Sequence, residues 1–186
     1  MKTFANVVSL FLFSAVVSFG QETMTPERFR DLVAAPAVNV RLMPKLADAG
    51  PLWTNATVNI SLKYETGKVF SEEVAGTSKI ISSNCVVFTV QSKYYKQPMS
   101  SLLMYDEKAQ AIKNYGLYGE TVTEATAMYD YTKKIYATTS TYGDGFMEIG
   151  AGSYSDAEIS DKTLVYQHGI LVMTRETKSK PTVVAK

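Results

Sequence analysis

The strongest constraint on what this chain can fold into is a period-two alternation that begins after Trp53. Alternate positions are mostly apolar and the positions between them are polar: Thr54, Ala56, Val58, Ile60, Leu62 and Tyr64 against Asn55, Thr57, Asn59 and Ser61. Successive side chains of a β-strand point to opposite faces, whereas helical neighbours recur every three to four residues. The alternation therefore predicts a strand with one dry face.

Further stretches rich in β-branched and aromatic residues follow, most of them joined by short connections. They cover residues 69–81, 85–92, 99–105, 109–117, 122–129, 134–142, 146–154, 163–166 and 170–176. Short connections favour antiparallel neighbours, and about eight to ten such strands lose their exposed edges by closing into a barrel. We therefore predict a mostly β chain, an antiparallel up-and-down meander that closes into a barrel, with one or two short N-terminal helices.

The beginning of the chain has the pattern of an export signal. Lys2 supplies a positive charge, residues 7–19 carry no charge, and small residues flank Phe19. This apolar run is shorter than the roughly 20 residues of a membrane-spanning helix, so cleavage after Gly20 is expected rather than anchoring. We predict a secreted or periplasmic protein without a stable membrane span after processing.

The remainder divides into three predicted parts. Residues 21–52 form a helical segment, because Thr25 and Pro26 supply an N-cap hydroxyl and a proline in the first turn of a helix. Residues 53–177 form the barrel, and residues 178–186 form a flexible tail.

Composition excludes several classes of function. Without Lys2 the 19 basic residues become 18, equal to the 18 acidic residues, and a neutral chain is a poor partner for nucleic acid. One cysteine, Cys85, forbids an internal disulfide, and one histidine, His168, forbids a metal site with two histidines. We expect Cys85 to be buried and His168 to lie in a tight hairpin turn, and we predict no metal, no cofactor and no catalytic residue.

Three other features have a functional and a structural interpretation. The glycine-rich segment 142–156 could be a calcium loop or a ligand-binding lip, but hairpin turns are favoured because the ligand spacing is wrong. Asp106 and Asp130 could be paired carboxylates, but both follow Tyr in matching turn contexts, which favours turns. The aromatic side chains of Trp53, Tyr94, Tyr95 and Tyr118 could line a pocket mouth, and ordinary packing at the rim is the alternative.

The entry Gly50-Pro51-Leu52-Trp53, the Tyr-Asp turns and Arg175 on the last strand together resemble a lipocalin-like (calycin) barrel. Over about Leu46 to Arg175 the chain is similar to exported bacterial proteins of that build. The resemblance implies a closed antiparallel barrel with Trp53 and Arg175 near one end and a role in holding a small apolar ligand. It therefore adds Arg175 to the candidate ligand-binding residues.

The leading hypothesis is an exported protein that holds a small hydrophobic molecule in or at the mouth of a β-barrel. The alternative is a structural or protein-interaction module of the cell envelope, which predicts an unclosed sheet. A carboxylate- and tyrosine-based enzyme would require desolvated acids clustered in one concave pocket.

Overall fold

The computed structural model describes residues 23–93 and 98–182, and its strands form one closed antiparallel barrel. The strands are β1 (Asn55–Tyr64), β2 (Val69–Ser82), β3 (Cys85–Val90), β4 (Met99–Asp106), β5 (Ala111–Tyr118), β6 (Thr121–Asp130), β7 (Ile135–Tyr142), β8 (Phe146–Tyr154), β9 (Ile159–Gln167) and β10 (Ile170–Pro181). Each strand pairs with the next, and β10 returns to pair with β1. The predicted fold class is confirmed, including the two short helices near the N-terminus.

Cross-strand register separates the two faces of the barrel. Asn59 on β1 lies opposite Glu73 on β2 and Lys178 on β10, and all three are exposed, so this face is the outer one. The next residue, Ile60, lies opposite Glu72 and therefore faces the lumen. The same parity can be followed around all ten strands.

The first helix, α1 (Pro26–Ala34), begins as the sequence predicts. The Thr25 hydroxyl accepts a hydrogen bond from the backbone N–H of Arg28 at 3.2 Å, and proline occupies the first turn. No such capping hydrogen bond starts the second helix, α2 (Pro44–Ala47), which also begins with proline.

Helix α1 packs on the outside of the barrel. Phe29 joins a buried cluster with Cys85, Val87 and Leu102 on the outer face of β3 and β4. Lys79 on β2 donates from Nζ to two backbone carbonyls at the end of the helix, each at 2.7 Å. A cation at a helix C-terminus satisfies carbonyls that have no intrahelical partner, so Lys79 ties α1 to the barrel.

Helix α2 and its flanks cover one end of the barrel, which we call the closed end. Leu46 is buried with Tyr105 and Ile112 from the inner wall, and the backbone N–H of Met43 donates to Ser83 O in the β2–β3 turn at 2.8 Å. The other end, which we call the open end, includes the turns at residues 64–69, 118–121, 142–146 and 167–170. None of the described helices is long and apolar enough to cross a bilayer.

Two strand boundaries differ from the prediction by more than two residues. Strand β9 begins at Ile159 rather than at residue 163, because the polar run that includes Asp161 is strand and not loop. Strand β10 continues to Pro181, which lies opposite Ala56, so part of the segment predicted as a tail from residue 178 completes the pairing with β1. The predicted signal peptide, residues 1–20, lies outside the described residues, and export stays a prediction.

The predicted turns are confirmed. His168 (φ 51°) and Gly169 (φ 79°) form the two-residue connection between β9 and β10. Asp106 accepts hydrogen bonds at Oδ1 from the N–H groups of Lys108 and Ala109 at 3.0 and 3.1 Å, and Asp130 holds the corresponding turn between β6 and β7. The acids are therefore turn residues rather than a catalytic pair.

Two turns of the open end are joined through Gly145, which has φ 69°. His168 donates its backbone N–H to Gly145 O at 2.9 Å, and a Cβ at position 145 would lie 2.4 Å from His168 Nδ1. We expect Gly145→Ala to lower the free energy of unfolding by about 1 kcal/mol or more, because it adds both backbone strain and a clash.

The matched control is Gly143→Ala in the same connection, where an added Cβ meets no atom within 4 Å. Urea unfolding should show a stability within about 0.5 kcal/mol of the parent for this variant. Equal losses for the two variants would contradict the contact between the turns.

Candidate functional site

The inner wall of β6 to β8 is built from small side chains. By register, the inward positions in the middle of these strands are Thr123, Ala125, Ala127, Thr138, Ser140, Gly150 and Gly152. An eight-stranded barrel is just wide enough to be filled by side chains or to hold one small ligand, and the diameter grows with strand number. Ten strands make a wider ring than eight, and small inward residues on one side fill less of it.

Solvent reaches this lumen. The inward-facing Arg175 and Glu148 side chains remain 37% and 22% exposed. Glu148 is the third residue of β8 counted from the open end, and Arg175 the sixth of β10. The lumen is therefore accessible as far down as these charged groups.

A polar cluster occupies the open half of the lumen. Arg175 Nη2 lies 3.1 Å from Glu148 Oε2 and donates to Thr163 Oγ1 at 3.5 Å. The Tyr142 hydroxyl donates to Glu148 Oε1 at 3.0 Å, and burial followed by the Glu148 charge raises the pKa of Tyr142 to about 12. The guanidinium, the carboxylate and the phenol are thus already engaged with one another.

Asp161 lies deeper on the same wall and does not take part in these hydrogen bonds. It is two residues before Thr163 on β9, and no described group donates to its buried Oδ1 atom. Burial raises the pKa of Asp161 to about 6; the nearby Arg175 lowers it and Glu148 raises it further. The cross-strand partner of Asp161 is Gly152, where a Cβ would lie 2.5 Å from Tyr136 Cζ, so glycine allows the Tyr136 ring to lie over the wall beside Asp161.

Other inward acceptors are also left without a donor in the described part of the chain. They include Asn114 Oδ1 on β5 and Glu72 Oε2 on β2, and the inward hydroxyl of Tyr154 on β8 is also unpaired. Glu72 is only 8% exposed, and its other carboxylate oxygen accepts from Ser92 Oγ at 2.6 Å. Buried polar groups in folded proteins nearly always have partners, so these acceptors need an explanation.

The opposite side of the lumen is apolar. Inward residues of β1 to β3 include Val58, Ile60, Leu62, Phe70, Val74, Val86, Phe88 and Val90. Their burial together forms much of the core between these strands. The inner surface thus has a mainly apolar wall on β1 to β3, interrupted by Glu72, and a polar wall on β5 to β10; the dry face predicted for the strand after Trp53 belongs to the apolar wall.

Tyrosines line the closed end of the lumen. The Tyr129 ring lies 5.6 Å from Tyr131, 5.5 Å from Tyr136 and 6.2 Å from Tyr154, measured between ring centroids. Burial raises the pKa values of Tyr129 and Tyr136 well above the ordinary value, so both phenols stay protonated near neutral pH.

The predicted site residues do not come together. Arg175 faces the lumen opposite Leu62, whereas Trp53 precedes β1 at the closed end and packs against the apolar cluster that includes Val58. The expectation that Trp53 and Arg175 lie near one end is therefore wrong. Tyr118 is 77% exposed at the open end. Tyr94 and Tyr95 lie outside the described residues, and the ligand-binding roles of all five stay predictions.

No sequence pattern singles out Asp161 or Tyr136, and Tyr142 and Glu148 lie in the segment 142–156, for which hairpin turns are favoured over a ligand-binding lip. The sequence pattern assigns each of them to a strand or to the neighbourhood of a turn, but does not assign it to the inner or the outer face of the sheet. The alternation of faces along β8 could have identified Glu148, because it lies on the same face as Gly150 and Gly152. At both glycines an added Cβ would clash with a neighbouring side chain, so close packing explains why glycine is present.

The rest of the described chain contains fewer groups that could form a functional site. Cys85 is buried as predicted, and burial raises the pKa of its thiol to about 12, which makes it unreactive. No three His, Cys, Asp or Glu side chains in residues 23–93 and 98–182 are placed to hold a metal ion. Open grooves of about 440 and 400 Å³ lie outside the lumen, one along β1, β2 and β10 and one beside α2, and charged residues contribute to the walls of both.

Fold and site together define an antiparallel barrel of lipocalin-like build with an accessible, two-sided lumen. No family model matches the chain, and no curated protein does. Among solved structures it is similar to the S-type phycobiliprotein lyase CPES from Guillardia theta, with a TM-score of 0.50 and 9% sequence identity over 77% of this chain and 99% of that one. At this identity the likeness shows the fold alone.

Asp161 gives the site a measurable pH signature. Its raised pKa means that the folded protein holds this proton more tightly than the unfolded chain does, so its contribution to stability is full below about pH 4 and is lost as the pH rises through about 6. We expect Asp161→Asn, which cannot ionise, to raise the free energy of unfolding by about 2 kcal/mol at pH 7.5, with the gain vanishing toward pH 4.

Chemical denaturation across this pH range checks the prediction, with the exposed helix residue Asp31 changed to Asn as the matched control. The Asp31 variant should follow the parent at every pH. A lower stability of the Asp161 variant at pH 7.5 would show that the carboxylate is paired in the folded state.

Proposed function

We propose that this chain is an exported ligand-binding protein that holds a small, largely apolar molecule in the lumen of its barrel. The observation that carries the proposal is the lumen: ten strands, small inward residues on β6 to β8, and inward side chains that remain exposed to solvent. Entry would be through the open end, because α2 covers the other end.

The chemistry of the two walls supports a ligand over a purely structural role. A module that docks through a sheet edge predicts an unclosed sheet, and the barrel here is closed by pairing between β1 and β10. Burying apolar surface against residues such as Leu62 and Phe70 yields roughly 25 cal/mol per Å², which is enough for micromolar binding of a small molecule. The structural neighbour, named a phycobiliprotein lyase, is compatible with this proposal because it shares the barrel fold.

A carboxylate-based enzyme is the second candidate, and Asp161 is the observation that favours it. A desolvated acid with a pKa near 6, beside Glu148 and Arg175 in a concave site, is the arrangement that acid–base chemistry uses. Turnover of a bound ligand that stops in Asp161→Asn while binding persists would favour this candidate over a carrier.

Binding of the neutral fluorescent dye N-phenyl-1-naphthylamine tests lumen occupancy. We expect saturable one-to-one binding with a dissociation constant of about micromolar size. Ala125→Phe places a ring in the lumen between Asn114 and Ser140 and should weaken binding by about ten-fold or more, because it occupies the ligand's volume.

The matched control is Ala75→Phe, which adds the same ring on the exposed outer face of β2. It should leave dye binding within about two-fold of the parent. Circular dichroism and thermal melting establish that both variants are folded. The absence of saturable binding in the parent, or an equal loss in two folded variants, would refute binding in the lumen.

A further inference from the structure

Both walls of the lumen contain buried hydrogen-bond acceptors that no described residue satisfies. Asp161 Oδ1, Asn114 Oδ1 and Glu72 Oε2 are buried acceptor atoms without a donor from any described residue. Leaving a buried acceptor unsatisfied costs about 1–3 kcal/mol, and more when the group is charged. Three such atoms facing one lumen point to donors that a bound molecule would bring.

The charged side chains that face the lumen are also mostly acidic. Glu72, Glu148 and Asp161 face inward on β2, β8 and β9, and the one inward cation among these strands and their described neighbours is Arg175. Arg175 is already held by Glu148 at 3.1 Å and by Thr163. An anionic ligand would have to displace Glu148 from the guanidinium, whereas a cationic ligand finds Asp161 without a hydrogen-bonded partner.

We infer that the lumen selects an apolar molecule that carries a protonated nitrogen with N–H donors, the nitrogen binding at Asp161 and the apolar part lying against the wall formed by β1 to β3. This inference rests on the proposed function and specifies the ligand's chemical class. The Asp161 carboxylate would accept charge-assisted hydrogen bonds, which are the strong ones in low-dielectric sites. Leu62 and Phe70 on the facing wall would bury the hydrocarbon.

Four probes with one tail and different head groups test the inference. Dodecylammonium carries a charge and N–H donors, dodecyltrimethylammonium carries the charge alone, dodecanol is neutral, and dodecyl sulfate is anionic. Isothermal titration calorimetry at pH 7.5, below the micelle-forming concentrations, should show affinity falling in that order, with dodecylammonium bound at least about ten-fold more tightly than dodecyl sulfate.

Asp161→Asn should weaken dodecylammonium about ten-fold and dodecanol by much less, because the alcohol forms no ion pair, whereas the control Asp31→Asn should change neither. Misfolding cannot mimic this result, because the Asp161 variant is expected to be the more stable protein. Equal binding of the four probes, or tighter binding of the sulfate, would overturn the inferred ligand class and leave the proposed function standing. Failure of all four to bind would instead overturn the proposed function.

Discussion

Pairing between β1 and β10 is the interaction on which the rest of the structure depends. It runs from Ala56 opposite Pro181 to Tyr64 opposite Met173, and it converts a meander with two unpaired edges into a ring. Because the closed sheet has no free edge and surrounds a lumen, alternate side chains of every strand point either into the lumen or outward. The lumen, its two walls and the accessibility of Arg175 all follow from that ring.

Some side chains that face the lumen stabilise the fold by packing, whereas others do not stabilise it. Residues such as Val58 and Val74 are buried against one another, while Asp161 is desolvated without a hydrogen bond from any described residue. A fold selected for stability alone would place an apolar side chain or a donor there, since an unpaired buried acceptor costs free energy. Sites that bind or react are where proteins tolerate such a cost.

The order of the strands could be predicted from the sequence, and the composition of the lumen could not. Period-two apolar residues and turn formers such as Asp106 and His168 act locally, so their positions mark the strands directly. Asp161 lies in a polar run that has no apolar alternation, and only pairing of β9 with β8 and β10 reveals it as an inward strand residue. Whether a carboxylate finds a donor depends on neighbours from distant strands, which local patterns do not specify.

The central claim is that the barrel holds a ligand in an open lumen rather than a core of its own side chains. Native mass spectrometry of the protein purified from its own host tests this most directly, because a lumen ligand survives gentle desolvation as added mass. We expect a discrete added mass that is lost on collisional activation, and we expect the bound molecule that contributes it to be largely apolar and to contain nitrogen. A bare polypeptide mass, together with an experimental structure whose lumen is filled by side chains, would contradict it.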